Sequence, residues 1–163
     1  MASSEGKLDK PQFAFYLGNK ASPELSIGGV NPARYTGEIN YVRASSWPWW
    51  IELDGVKVGN TVVAPHKIDT MIDSGSTAFM APPKQLVAIA KGVGAVQTPE
   101  GDYTVDCKAS GPAITFTIGG KQYAVQKAQY VYKGSDGKCY LNIGDTGDEF
   151  WILGSLFMQN VYT

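Results

Sequence analysis

The tightest constraint on this chain is that its apolar runs are short and glycine repeatedly stops them. Phe13-Ala14-Phe15-Tyr16-Leu17 ends at Gly18, and Glu24-Leu25-Ser26-Ile27 alternates before Gly28-Gly29. Thr36 to Val42 alternates again, with Ile39 and Tyr41 on one side of the pleat. Runs of this length suit strands, whose side chains change face at every residue, better than helices. Trp49 to Leu53 and Val56 to Val58 flank Asp54-Gly55, which predicts a two-residue hairpin. Ile114 to Ile118 and Tyr123 to Val125 flank Gly119-Gly120-Lys121 and predict a second, and Phe150 to Leu153 reads as a buried strand. Helical pattern is sparse. Pro82-Pro83 opens a segment reaching Lys91, in which Leu86, Ile89 and Ala90 share a face and Gly92 supplies a stop. Ser155 to Asn160 allows one more short helical turn. The expected fold class is all-β with one or two short helices, in one domain without internal repeat or linker.

The 163 residues suffice for one well-buried domain. Lys plus Arg is 14 against 15 for Asp plus Glu, a net charge of −1, so no basic face for nucleic acid is expected. The longest apolar stretch, around Phe150 to Phe157, contains Gly154 and Ser155 and is too short to cross a membrane as a helix. Cys107 and Cys139 fit neither a zinc site nor a redox pair, and with a single histidine no metal centre is expected. The two cysteines are either buried free thiols or, in a secreted protein, a disulfide. A disulfide would close a loop of about 30 residues and contribute about 3–4 kcal/mol. No N-glycosylation sequon occurs.

One stretch carries a candidate chemistry. Lys67 to Ile72 is a strand that runs into Asp73-Ser74-Gly75-Ser76-Thr77. A carboxylate leaving an apolar strand into a loop of hydroxyl residues can be held by nearby N–H and O–H donors, and glycine lets the backbone turn. Alone, Asp-Ser-Gly-Ser is also an ordinary turn.

Its surroundings resemble the carboxy-terminal lobe of the pepsin-like (A1) aspartic proteases along nearly the whole chain. Met71-Ile72-Asp73-Ser74-Gly75-Ser76 is similar to the family's catalytic loop, and Ile152-Leu153-Gly154 to the second element of its ψ-loop. Phe13 to Leu17, Leu25 to Val30, Tyr35 to Ile39 and Trp49-Trp50-Ile51 follow in the family's order. Ile114 to Gly119, flanked by Cys107 and Cys139, looks like the disulfide-bearing segment.

The resemblance implies a barrel-like acid-protease lobe spanning 11–163, with 1–10 as the end of the preceding link. Asp73 would be one half of a catalytic carboxylate pair. Ser74 would hold the loop against its counterpart in the other lobe, Ser76 would bond the outer oxygen of Asp73, and Gly75 would donate its N–H nearby. Gly154 would pass beneath the loop. The implied activity is acid endopeptidase action without cofactor or metal, on peptide or protein substrate, in the secretory pathway, outside the cell or in a lysosome or vacuole. The implied partner is an amino-terminal lobe bearing the second aspartate and the flap.

The chain departs from the family's pattern in three places. It holds only one Asp-Ser/Thr-Gly loop; Ser155 stands where the family usually has Asp; and Val161-Tyr162-Thr163 stops short of the family's last strands. Met1 to Lys7 lacks the apolar core of a secretory signal, so the chain is either cytosolic or targeted from a segment upstream. Two other readings are a homodimer in which two copies of Asp73 meet, and a non-catalytic pepsin-like binding or inhibitor protein. His66 is expected at a surface turn, and Trp47, Trp49 and Trp50 in packing. Asp69 lies about 13 Å from Asp73 along an extended strand, too far to be its partner.

Overall fold

A computed structural model describes residues 6–18, 22–45, 49–108 and 110–163. The expectations for Met1 to Glu5 and for Trp47 lie outside them. Strands β1 (Phe13–Tyr16) and β2 (Glu24–Ile27) come first. They are followed by β3 (Trp50–Leu53), β4 (Gly55–Val58), β5 (Thr61–Ala64), β6 (Ile68–Ile72), β7 (Phe79–Ala81) and helix α1 (Pro83–Val93). Next are β8 (Val96–Gln97), β9 (Tyr103–Val105), β10 (Ile114–Ile118), β11 (Lys121–Val125) and α2 (Lys127–Tyr130). β12 (Val131–Lys133), β13 (Cys139–Leu141), β14 (Ile143–Asp145), β15 (Trp151–Leu153) and α3 (Ser155–Met158) complete the order.

The strands make four sheets, ordered β1-β2, β11-β10-β4-β5, β12-β13-β9-β8 and β14-β7-β15-β6-β3. The all-β class is as expected, but the sheets stay open and no barrel closes. The core lies between the five-stranded sheet and the β10-containing sheet. Phe116 on β10 meets Phe79 at 5.0 Å, Trp151 at 5.7 Å and Phe157 at 5.6 Å, all edge to face. Aromatic burial of this kind dominates core energetics, and here it pins β7, β15 and α3 to the second sheet.

Several local expectations change. Asp54-Gly55 is no hairpin: β3 pairs with β6, whereas β4 pairs with β10 and β5. Gly55 lacks the positive φ a type I′ turn needs. Asp54 instead sits where the chain changes sheets; its N–H donates to Thr117 O at 2.8 Å and its Oδ2 accepts Gly120 N–H at 2.9 Å. The hairpin that does form joins β4 to β5 through Gly59-Asn60, with Val58 opposite Thr61 and Gly59 at φ 56°. The β10–β11 hairpin is as expected, with Gly119 and Gly120 at φ 56° and 74° between Ile118 and Lys121. Thr36 to Val42 is not a strand. Alternation alone gives its backbone no ladder partner, and its anchor is a side chain: Asn40 Nδ2 donates to Ile118 O at 3.1 Å. Helix α1 buries Leu86, Ile89 and Ala90 as expected and Val93 besides, but runs through Gly92 and ends at left-handed Gly94 (φ 73°). α2 is a third helix, closed by reciprocal Gln126–Gln129 capping.

Cys107 and Cys139 form a disulfide, with their Cα atoms 5.3 Å apart and a sequence separation of 32. Reduction is expected to remove about 3–4 kcal/mol of stability, read as a lower urea midpoint with dithiothreitol than without.

The β1–β2 pair is closed by a polar clasp. Glu24 accepts hydrogen bonds from Asn31 Nδ2, Arg34 Nε and Ser26 Oγ, each at 2.8 Å, and the Arg34 guanidinium lies over the Tyr16 ring. These bonds, Asn31's first and then Arg34's, draw the Glu24 carboxyl from 4.5 down to about 2. A depressed carboxylate contributes stability that is complete above the unfolded value and fades as pH falls towards the folded one. Glu24→Gln should therefore lower the melting temperature above the ordinary carboxylate range. The gap from the parent should close as pH falls from 4.5 towards about 2.

Candidate active site

β15 lies between β6 and β7. It runs parallel to β6, with Ile152 opposite Met71 and Leu153 opposite Ile72, and antiparallel to β7, with Leu153 opposite Phe79. Residues 73–78 join β6 to β7, so this connection must pass over the end of β15. That is the ψ-loop, and the position of β15 makes Asp73 its first residue. Apolar Thr-Met-Ile and Trp-Ile-Leu stretches build the paired strands because alternate residues reach the core: Thr70, Trp151 and Leu153 have no exposed surface.

The ladder continues one step into the loop, where Asp73 N–H donates to Leu153 O at 3.1 Å. The carboxylate is then held by its own loop. Gly75 N–H donates to Oδ1 at 2.9 Å and Ser76 Oγ–H to Oδ2 at 2.6 Å, so each oxygen has a donor. Asp73 is half-buried, and Ser74 and Gly75 are exposed. The Ser74 hydroxyl has no hydrogen-bond partner among the described residues and faces outward.

The loop is tied from below by the start of α3. Ser155 N–H donates to Ser76 O at 2.7 Å and Leu156 N–H to Thr77 O at 3.0 Å. Ser155 Oγ reaches Thr77 O at 3.4 Å, so this hydroxyl adds to the same carbonyl. Gly154 is buried directly under the loop. A Cβ there would fall 2.5 Å from Ala78 O and closer still to Ser76 O.

The structure thus brings together Asp73, Gly75, Ser76 and Gly154 and leaves other carboxylates apart. Asp69 is exposed on β6 opposite Glu52, and Asp145 accepts Gly147 N–H at 2.7 Å in a turn of its own. His66 is exposed, and Trp50 packs edge to face on Phe150 at 5.1 Å. Among the described residues, no three or more His, Cys, Asp or Glu side chains are arranged to hold a metal ion. No described helix is long and apolar enough to cross a membrane.

A half-buried stripe that no sequence motif marks runs across the outer face of the five-stranded sheet. Trp50, Met71, Ile152, Met80 and Gly144 are in register from β3 to β14. Its signal is the odd-numbered burial of Ile51 and Leu53, which turns the even positions outward. A groove of about 510 Å³, lined by residues including Glu52, His66, Asp69 and Gln85, lies at the other end of β6 and does not include Asp73.

The model of the family described as eukaryotic aspartyl protease matches residues 2–163. The chain belongs to that family. It is 33% identical to cathepsin D of Clupea harengus over 100% of this chain and 45% of that protein. It is 32% identical to cathepsin D of Chionodraco hamatus over 98% of this chain and 44% of that protein. Identity to pepsin-2B of Gadus morhua is 31%, over 98% of this chain and 52% of that protein. The chain spans about half the length of the curated relatives it matches.

Proposed function

We propose that this chain is the carboxy-terminal lobe of an aspartic endopeptidase, supplying Asp73 and half of the substrate cleft. The observation that carries the reading is the holding of both Asp73 oxygens by Gly75 N–H and Ser76 Oγ–H in a loop braced on Gly154. A second Asp-Ser/Thr-Gly loop, from an amino-terminal lobe, completes the pair. Two carboxylates at hydrogen-bonding distance do not both ionise readily, so they share one proton and titrate together. The ionised member takes a proton from water as it attacks the peptide carbonyl. The protonated member polarises that carbonyl and then protonates the departing amine. No acyl-enzyme forms, and the exposed Ser74 hydroxyl is free to meet the opposite loop.

The β1–β2 sheet supports the need for a partner. Phe13, Phe15, Leu25 and Ile27 share one of its faces, and Phe13, Leu25 and Ile27 are 45%, 51% and 65% exposed. A two-stranded sheet with a bare apolar face calls for another surface to cover it.

The test is hydrolysis of an unstructured polypeptide at acidic pH by this chain mixed with a lobe carrying the second loop. Cleavage is the expected outcome. Stable association with no cleavage at any acidic pH would favour a non-catalytic binding role instead.

A further inference from the structure

Among the described residues Trp49 alone combines a side chain with positive φ (63°). A bulky L residue rarely adopts this left-handed backbone, because Cβ crowds the following carbonyl oxygen. Such strain persists where the surroundings over-determine it, and it concentrates at functional sites. Two contacts of Trp49 bear on Asp73. Its carbonyl accepts the Ile72 N–H at 3.3 Å, and its ring meets Phe13 edge to face at 5.2 Å. The far side of the turn is fixed as well: Trp50 O accepts Ser45 N–H at 2.8 Å, and the Trp50 ring packs on Phe150.

Ile72 is the last residue of β6, and Asp73 follows it directly. Across the sheet, Asp73 is tied on the β15 side by its N–H bond to Leu153 O. The Trp49 carbonyl is therefore the tie on the opposite edge of β6 at the point where the strand becomes the loop. Phe13, which seats the Trp49 ring, belongs to the β1–β2 sheet and packs in turn on Phe15 at 5.9 Å. Side chain to side chain and then through one peptide hydrogen bond, the path runs Phe13, Trp49, Ile72, Asp73.

We propose that Trp49 is a positioning residue for Asp73. Its ring, seated on Phe13, holds its backbone left-handed so that its carbonyl fixes the end of β6 and with it the catalytic carboxylate. This rests on the protease reading above for its catalytic consequence, but not for the linkage itself. Losing the ring contact removes one support of the left-handed backbone and favours the relaxed, extended one. The Ile72 amide is then released, and the end of β6 is held by β15 alone.

Three variants of the full chain separate the parts. Trp49→Ala removes the ring but keeps the Cβ that penalises the left-handed backbone, Phe13→Ala removes the seat, and Trp49→Phe keeps a ring on Phe13. The first readout needs no activity: hydrogen–deuterium exchange at the Ile72 amide and the NMR position of the Gly75 amide, which bonds Asp73. Both should change in Trp49→Ala and Phe13→Ala and stay near the parent in Trp49→Phe. In the assembled protease, kcat should fall about tenfold or more while KM stays within about twofold, since misplacing a catalytic group costs rate and not binding. Trp49→Phe should restore kcat. Unchanged Ile72 exchange and Gly75 position in both Trp49→Ala and Phe13→Ala would overturn the proposal, as would Trp49→Phe behaving like Trp49→Ala. If the parent pair hydrolyses nothing while the amide signals move, the protease reading falls and the positioning role stands.

Discussion

Replacing Asp73 by Asn in the assembled protease is expected to reduce kcat by about 10³-fold or more, with substrate still bound. The amide can accept Gly75 N–H through its oxygen, so the loop keeps part of its geometry. It can neither take the proton of the attacking water nor share a proton with a second carboxylate, and general acid–base catalysis alone is worth about 10²–10⁴-fold. The loss should appear in kcat and kcat/KM together, the pattern of an interaction made only in the transition state. Circular dichroism and the melting temperature should stay close to the parent, because Asp73 is half-buried at the rim and not in the core. Full activity in this variant would sink the catalytic assignment.

The second large effect is expected at Gly154. An alanine there places a methyl 2.5 Å from Ala78 O and nearer to Ser76 O, and both are backbone carbonyls of the ψ-loop. Neither can swing aside like a side-chain tip. Ser76 O is held by Ser155 N–H at 2.7 Å, and Ala78 directly precedes β7. The loop must therefore lift from β15, breaking the Asp73 N–H bond to Leu153 O that sets the height of the carboxylate. Overpacking of this kind costs about 3 kcal/mol, at the upper end for an added methyl. Urea unfolding of Gly154→Ala should show that loss as a lower midpoint at unchanged slope. Gly29→Ala is the control: a Cβ there meets nothing within 4 Å, and stability should change by no more than about 0.5 kcal/mol. Equal stability of the two variants would remove Gly154 from the account.

How far the fold could be read from the sequence depended on whether a signal was local. The Gly119-Gly120 turn needs only its own two residues, and it forms with both at positive φ. Helix α1 was legible because its apolar face repeats over eleven residues. Its end was not, because Gly92 looks like a stop in sequence. In three dimensions it lies against β4, where a Cβ would meet Val58 Cγ1 at 2.9 Å. Asp54-Gly55 misleads for the same reason. The choice between a hairpin and a change of sheet is made by β6 and β10, which compete for β3 and β4 from distant parts of the chain. The four-residue α2 is too short to carry a period, and its signal is the Gln126–Gln129 pair alone.

The candidate site was more legible than the fold. The loop is built from consecutive residues, and Asp73, Gly75 and Ser76 carry their own hydrogen bonds. Gly154 required the resemblance of Ile152-Leu153-Gly154 to the family's second ψ-loop element, since nothing nearby in sequence points to Asp73. The strain at Trp49 left no trace in the sequence, because a tryptophan gives no hint of a left-handed backbone.

On the proposed function, Asp73 is half of a dyad whose other half comes from a different lobe. Titrating a fixed amount of this chain with a companion lobe bearing the second Asp-Ser/Thr-Gly loop, and following the initial rate of acid peptide hydrolysis, tests it directly. The predicted result is no rate without the companion, a linear rise on addition, and a plateau at one companion per chain. Hydrolysis by this chain alone, rising with the square of its concentration, would contradict it and place two copies of Asp73 in one site.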